Sequence, residues 1–253
     1  MKYAVCQVSV AALRAENSDR SEMVSQLLFG EKVEILEIKP NWLKVKTDYD
    51  NYNGWADKKQ LAEVSEEEYF SLQNEIYATD SFNLAAEDNY PFILPLASPL
   101  PNLSNGKIEL GQKKFNYFGE HQNTFLTKSD IQKQALMYMN TPYLWGGKSI
   151  FGIDCSGFVQ QVYKMCGVKL PRDAYQQAEL GEALSFVEEA EPGDLAFFDN
   201  SENKIVHVGI ILEGNKIIHA HGRVRIDPVD VTGIFNTDTQ SYSHKLRIMK
   251  RVI

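Results

Sequence analysis

The chain has 253 residues, 43% hydrophobic and 24% charged, an ordinary globular composition with length for two or three compact units. A net charge of -8 argues against general affinity for nucleic acid or anionic membranes and suits a cationic or zwitterionic ligand. No apolar run approaches the roughly 18 residues of a membrane-spanning helix. The start, MKYAVCQVSV, lacks the apolar core and cleavage site of a secretory signal. As written the chain is expected in the cytoplasm, and in the periplasm or outside the cell if a signal has been trimmed. A monomer is expected. Cys6, Cys155 and Cys166 form no even disulfide framework.

Residues 1–64 read as short strands with turn punctuation. Ala4 to Val10 is the first, and Cys6 within it reads as a core residue. Gly30 marks a turn before the alternating Val33, Ile35 and Ile38. Alternation resumes at Trp42, and the cluster Asp48 to Asn53 is turn chemistry before GWADKKQL. Short strands at this spacing suggest a small barrel. SVAALRAE, GEKVEIL, W-x-K-V and GWADKKQL together resemble bacterial SH3-like domains.

Residues 65–78 read as a connecting helix. Ser65 and Glu68 form a capping box, with Tyr69, Leu72 and Ile76 on one face. Residues 79–126 turn aromatic, Pro-rich and strand-like, either a second divergent barrel or a linker domain.

From residue 127 the character changes. TKSDIQKQALMYMN reads as a helix, a Gly-rich loop follows, and Phe158, Val159, Val162, Met165 and Cys166 form one helical stripe. Gly167 stops that helix and Asp154 is its N-cap, which puts Cys155 in the first turn. A helix N-terminus favours thiolate over thiol, so Cys155 is placed for nucleophilic chemistry. Its bland alternative is a small buried residue, the reading preferred for Cys166. A short helix ending at Gly181 and four strand candidates in succession complete an α+β arrangement.

A cysteine nucleophile needs a base and a group to orient the base. His121 and His244 have no supporting context and read as surface or packing residues. His207 and His219 lie in the two strands of one predicted hairpin. A two-residue loop puts them on opposite faces. A three-residue loop, Glu213 to Asn215, pairs Gly209 with His219 and brings His207 onto the same face, within reach. His221 shares that face.

TPYLWGGKSIFGIDCSGFVQQVY, LPRDAYQQAELG, EPGDLAFF, HVGIIL and IIHAHG resemble, in order and spacing, the NlpC-type papain-like cysteine peptidases of bacterial cell walls. The resemblance spans residues 127–253. It implies a papain-like domain of helices plus antiparallel sheet, preceded by one or two SH3-like barrels. It also implies Cys155 as nucleophile, His207 as base, His219 as its orienting residue and Tyr143 as an assistant at the oxyanion. His221 stands where the family often has a small residue, and competes with His219. Cys155, His207 and His219 are also residue types that bind Zn²⁺, but no Cys-x-x-Cys spacing accompanies them, and neither a metal nor a cofactor is expected.

The preceding barrel resembles the subgroup that trims murein peptides, which implies a γ-D-glutamyl-L-diamino-acid endopeptidase acting on L-Ala-γ-D-Glu-diaminopimelate or its Lys counterpart. A free N-terminal ammonium requires carboxylates and acceptors. Asp154 and Ser156 flank the nucleophile, Asp173 matches an acidic amine-binding position, and Arg172 is a candidate for a substrate carboxylate. Position 174 is Ala, where a hydroxyl would add an acceptor. From the barrel, Tyr52 is the candidate that closes the site, with Glu16 second. The alternatives are an inactive cell-wall-binding module and an amidase or acyltransferase on the same fold.

Overall fold

The computed structural model describes residues 2–72, 76–123 and 127–253. The chain divides into two units, Met1–Phe125 with Trp145–Phe151, and Leu126–Leu144 with Gly152–Ile253. Among the described residues, no helix is long and apolar enough to cross a membrane.

In the first unit the alternation near the N-terminus yields seven antiparallel strands. They are β1 (Tyr3–Cys6), β2 (Val10–Arg14), β3 (Met23–Leu28), β4 (Lys32–Ile38), β5 (Trp42–Thr47), β6 (Asn53–Asp57) and β7 (Leu61–Val64), in the order β3-β2-β6-β5-β4-β1-β7. Leu43, Val45 and Thr47 of β5 point inward, and Val45 joins Cys6, Leu13, Leu27 and Val33 in one core. This is the small all-β barrel. Gly30 takes a φ of +79°, and a Cβ there would lie 2.4 Å from the Pro99 carbonyl oxygen, so the turn needs glycine for conformation and for space.

The helix expected over 65–78 is shorter, α1 (Glu66–Ser71). Ser65 Oγ accepts from the Glu68 N–H at 3.1 Å, but the Glu68 carboxylate takes the Gly111 N–H at 2.5 Å. Only half of the capping box therefore forms. The helix ends at the buried Leu72, and Tyr77–Ala78 is instead a strand, β8. Residues 73–75 of the expected helix lie outside the described residues.

Four more strands follow, β9 (Phe82–Glu87), β10 (Tyr90–Pro95), β11 (Lys107–Leu110) and β12 (Lys113–Tyr117), in the order β10-β9-β12-β11. Short β13 (His121–Gln122) pairs with β8. The second sheet does not enclose a core of its own. Ala85, Leu94, Ile108 and Phe115 share one with Tyr3, Phe29, Tyr69 and Leu72, and the Phe29 and Phe115 rings meet edge to face at 5.1 Å.

Trp145–Phe151, which holds β14 (Lys148–Ser149), also belongs to this unit. Trp145 Nε1–H donates to Glu22 at 2.6 Å, and the Lys148 N–H donates to Gln26 Oε1 at 2.8 Å. Lys148 Nζ lies 3.3 Å from Glu31 Oε2, with side chains 1% and 7% exposed.

In the second unit, Ile131–Leu136 forms α2, Gly152–Ile153 forms β15, Cys155–Met165 forms α3 and Ala174–Gln177 forms α4. Every residue of α3 is buried. Gly167 ends the helix region at a φ of +76° with its N–H on Lys164 O, the expected left-handed stop. The sheet runs β16 (Glu182–Ala183), β22 (Ser241–Arg251), β17 (Leu195–Asp199), β18 (Ile205–Leu212), β19 (Lys216–His221) and β20 (Arg223–Pro228), with β21 (Gly233–Asn236) added on β22. The last two strands of the chain were not expected from sequence.

Removing one partner of a buried ion pair costs about 3–5 kcal/mol, and of an exposed pair less than about 1 kcal/mol. Lys148→Ala is therefore expected to lower stability much more than Lys46→Ala, whose half-exposed side chain pairs with Glu34. Guanidinium unfolding of both variants checks the contrast, and equal losses would contradict it.

Candidate active site

The site starts from the approach to α3. Leu144 N–H donates to Ile153 O at 3.1 Å and Ile153 N–H to Pro142 O at 3.0 Å, which lays Tyr143 alongside the chain entering the helix. Asp154 is extended, and its Oδ1 accepts the Gly157 N–H at 2.7 Å, so Cys155 opens α3 as expected.

Cys155 is 6% exposed. Burial pushes the thiol up to about 12, with Asp154 adding to the rise, against the opposing influence of the Val208 and Ser156 backbone and of Arg172. Burial and the Asp154 charge therefore work against the thiolate that the helix terminus favours. Among the described residues no side chain hydrogen-bonds to the sulfur. α3 packs on β18, the strand that carries His207. Burial and the neighbouring charges of Cys155 and Asp154 raise the half-exposed Tyr143 phenol to about 12.

The hairpin adopts the odd loop. Leu212 pairs with Lys216 and Gly209 with His219, leaving Glu213–Asn215 between, with Gly214 and Asn215 at φ +73° and +55°. His207 Nε2 and His219 Nδ1 consequently lie 2.8 Å apart. His221 is exposed, and its ring centroid is 6.2 Å from that of His219, so His219 provides the bond to His207.

Two parts of this site escaped the sequence reading. The next strand, β20, pairs Arg225 with His219, and alternation places Asp227 on the same face. His219 Nε2 lies 3.0 Å from Asp227 Oδ2, and Arg225 reaches the carboxylate through Nε at 2.6 Å and Nη2 at 2.9 Å. The signal available was the Arg-x-Asp spacing one strand beyond His-Ala-His. His244, taken for a surface or packing residue, stacks on His207 with centroids 4.0 Å apart and planes at 21°. A bulge in β22 opposite Phe197/Phe198 skips Arg247 and shifts the strand's parity, so Leu246 packs on the same core as Met249. His244, two residues from Leu246, thereby faces His207. No periodicity in the sequence signals that bulge.

Burial holds His207 well below the ordinary 6.5, and the charges of His219, His244 and His221 act the same way. Burial also lowers His219, offset in part by Asp227, and lowers His244 to about 4. One nitrogen from each of His207, His219 and His244 falls within 4.8 Å of the others. These rings do not suit a shared metal ion. His207 and His219 hold each other, Asp227 takes the other His219 nitrogen, and the near-parallel rings of His207 and His244 send their lone pairs side by side rather than to one point.

Arg172 is 1% exposed, and its guanidinium bonds Asp154 at 3.0 and 2.5 Å and Ser156 Oγ at 3.0 Å. Its expected role toward a substrate carboxylate is corrected: it is buried against the Asp154 carboxylate. Asp173 is half-buried at the start of α4, its N–H on Gln176 Oε1 at 3.2 Å. In the first unit, Tyr52 is half-buried in the turn after β5 with its N–H on Thr47 Oγ1, and Glu16 is exposed beyond β2.

Comparison with known proteins matches residues 140–243 to the NlpC/P60 family and residues 13–61 to the bacterial dipeptidyl-peptidase Sh3 domain. The chain is 31% identical to a gamma-D-glutamyl-L-lysine dipeptidyl-peptidase of Bacillus subtilis, over 78% of this chain and 71% of that protein. A protein of the same description from Bacillus cereus is 29% identical, over 85% and 73%. The crystal structure of an NlpC/P60 family protein from Bacillus cereus shares the fold, with a TM-score of 0.83 at 23% identity and 99% of each chain covered.

The lowered histidines carry a stability consequence. Above pH 6.5 they are neutral in folded and unfolded chains alike, and below it only the unfolded chain takes up their protons. Stability is therefore expected to fall as pH drops from about 6.5 toward the folded values. His244→Phe keeps a ring over His207 without titrating, and should reduce the slope by up to about 1.4 kcal/mol per pH unit. Urea unfolding at about pH 7, 6 and 5 measures it, and an unchanged slope would place the His244 proton uptake elsewhere.

Proposed function

We propose, from the premise that this chain belongs to the NlpC/P60 family of cysteine peptidases, that it hydrolyses the bond between γ-D-Glu and the following L-diamino acid in murein peptides bearing a free N-terminal L-Ala. One observation carries the chemistry: a buried cysteine at the start of α3, which packs on β18, and on that strand His207, held by His219 at 2.8 Å. The substrate follows from the chemistry named for the two Bacillus relatives together with the SH3 match.

Cys155 attacks the amide carbonyl as His207 takes the thiol proton. General-base assistance of this kind contributes about 10²–10⁴ in rate. The Cys155 N–H at the positive end of α3, with Tyr143 beside it, stabilises the oxyanion. His207 then returns the proton to the leaving amine, and water releases the acyl group from sulfur. Ser156 and Asp173 receive the substrate ammonium, while Arg172 holds Asp154 in place as the N-cap.

The purified chain, given L-Ala-γ-D-Glu-L-Lys and L-Ala-γ-D-Glu-diaminopimelate beside their N-acetylated forms, should cleave only the free-amine peptides, and Cys155→Ala should abolish turnover. Binding without turnover would support a wall-binding module instead. Cleavage of the acetylated peptides would end the free-amine requirement.

Orientation of His207 is assigned to His219. His219→Ala is accordingly expected to lower kcat by about 10² or more, and His221→Ala by less than about 10-fold. Equal losses in steady-state assays would undo that ranking.

A further inference from the structure

We infer that Asp227, backed by Arg225, fixes which nitrogen of His207 carries hydrogen, and is thereby a positioning residue of the hydrolytic site. The kinetic consequence rests on the peptidase reading above, and the tautomers rest on the hydrogen-bond geometry together with an ionised Asp227 and a neutral His219.

The Asp227 side chain is wholly out of solvent. Five donors surround its two oxygens. Oδ2 receives His219 Nε2 at 3.0 Å and Arg225 Nε at 2.6 Å. Oδ1 receives Arg225 Nη2 at 2.9 Å, Thr237 Oγ1 at 3.1 Å and the Thr237 N–H at 3.2 Å. Arg225 is itself anchored through Nη1 on Asp238 at 2.6 Å. Burial works against the Asp227 charge, but the bonds from His219, Arg225 and Thr237 outweigh it and hold the carboxyl well below its usual range.

An ionised carboxylate only accepts, so His219 Nε2 must carry hydrogen. A neutral His219 then has a bare Nδ1. The 2.8 Å contact requires His207 Nε2 to donate to it. One hydrogen on a neutral ring leaves His207 Nδ1 as the lone pair that takes the thiol proton. Without a fixed acceptor at Asp227, His219 can hold its hydrogen on Nδ1. His207 would then accept at Nε2 and carry hydrogen on Nδ1, the wrong form for a base.

The test is nitrogen-15 NMR of histidine-labelled full-length protein together with steady-state kinetics. In the unmodified protein both His207 and His219 should show the Nε2–H tautomer, and an Nδ1–H form of either overturns the inference without any variant. Asp227→Asn should give mixed tautomers and a roughly hundredfold fall in kcat with KM within about threefold. A folded Asp227→Asn protein, checked by melting temperature, that keeps both tautomers and full kcat also overturns it. Asp238→Asn changes a side chain that is 61% exposed and loosens Arg225. It should shift the tautomers the same way with a kcat loss of about threefold, and it decides the matter should Asp227→Asn fail to fold. Nε2–H tautomers in a protein that cleaves none of the murein peptides would refute the peptidase reading while leaving the tautomer inference standing.

Discussion

The 2.8 Å contact between His207 and His219 depends on the number of residues in one turn. With three residues between Leu212 and Lys216, two histidines twelve positions apart share a sheet face. With two, the same strands would present them to opposite sides. Asn215 and Gly214 tolerate the left-handed backbone that the odd loop demands, so the turn's own chemistry selects the register on which the site depends. Everything beyond it inherits this choice: Arg225 and Asp227 reach His219 because β20 is in register with β19, and His244 reaches His207 because β22 is bulged.

The buried charges follow one logic. Asp154 with Arg172, Asp227 with Arg225 and Glu31 with Lys148 are each almost out of water, and each carboxylate has further hydrogen bonds besides its cation. A buried pair adds little net stability compared with an apolar one of the same shape, while half a pair is strongly destabilising. What such pairs contribute here is position. Arg172 fixes the N-cap beside the nucleophile, and Arg225 fixes the acceptor behind the histidines.

Two influences on Cys155 oppose each other. The helix terminus and the Val208 and Ser156 amides favour the thiolate, and burial favours the thiol. Burial likewise lowers His207.

Local order was legible because it is local physics. Asp154 as N-cap, Cys155 in the first turn and Gly167 as the stop all follow from backbone groups that a helix end leaves to be satisfied. Alternation within 1–64 indicated the barrel for the same reason. The sequence also limited the hairpin to two registers, one of which assembles the histidines. Long-range packing decided the rest. The helix from Ser65 stops at Leu72, because Leu72 is buried in a core shared with the second sheet and Tyr77–Ala78 pairs with His121–Gln122. Arg172, a candidate for a substrate carboxylate, is buried on Asp154, and no motif states the burial of Cys155. His244 and Asp227 joined the site through strand register and a bulge. Those are properties of how strands meet, and a one-residue shift, invisible in composition or periodicity, turns every side chain to the other face.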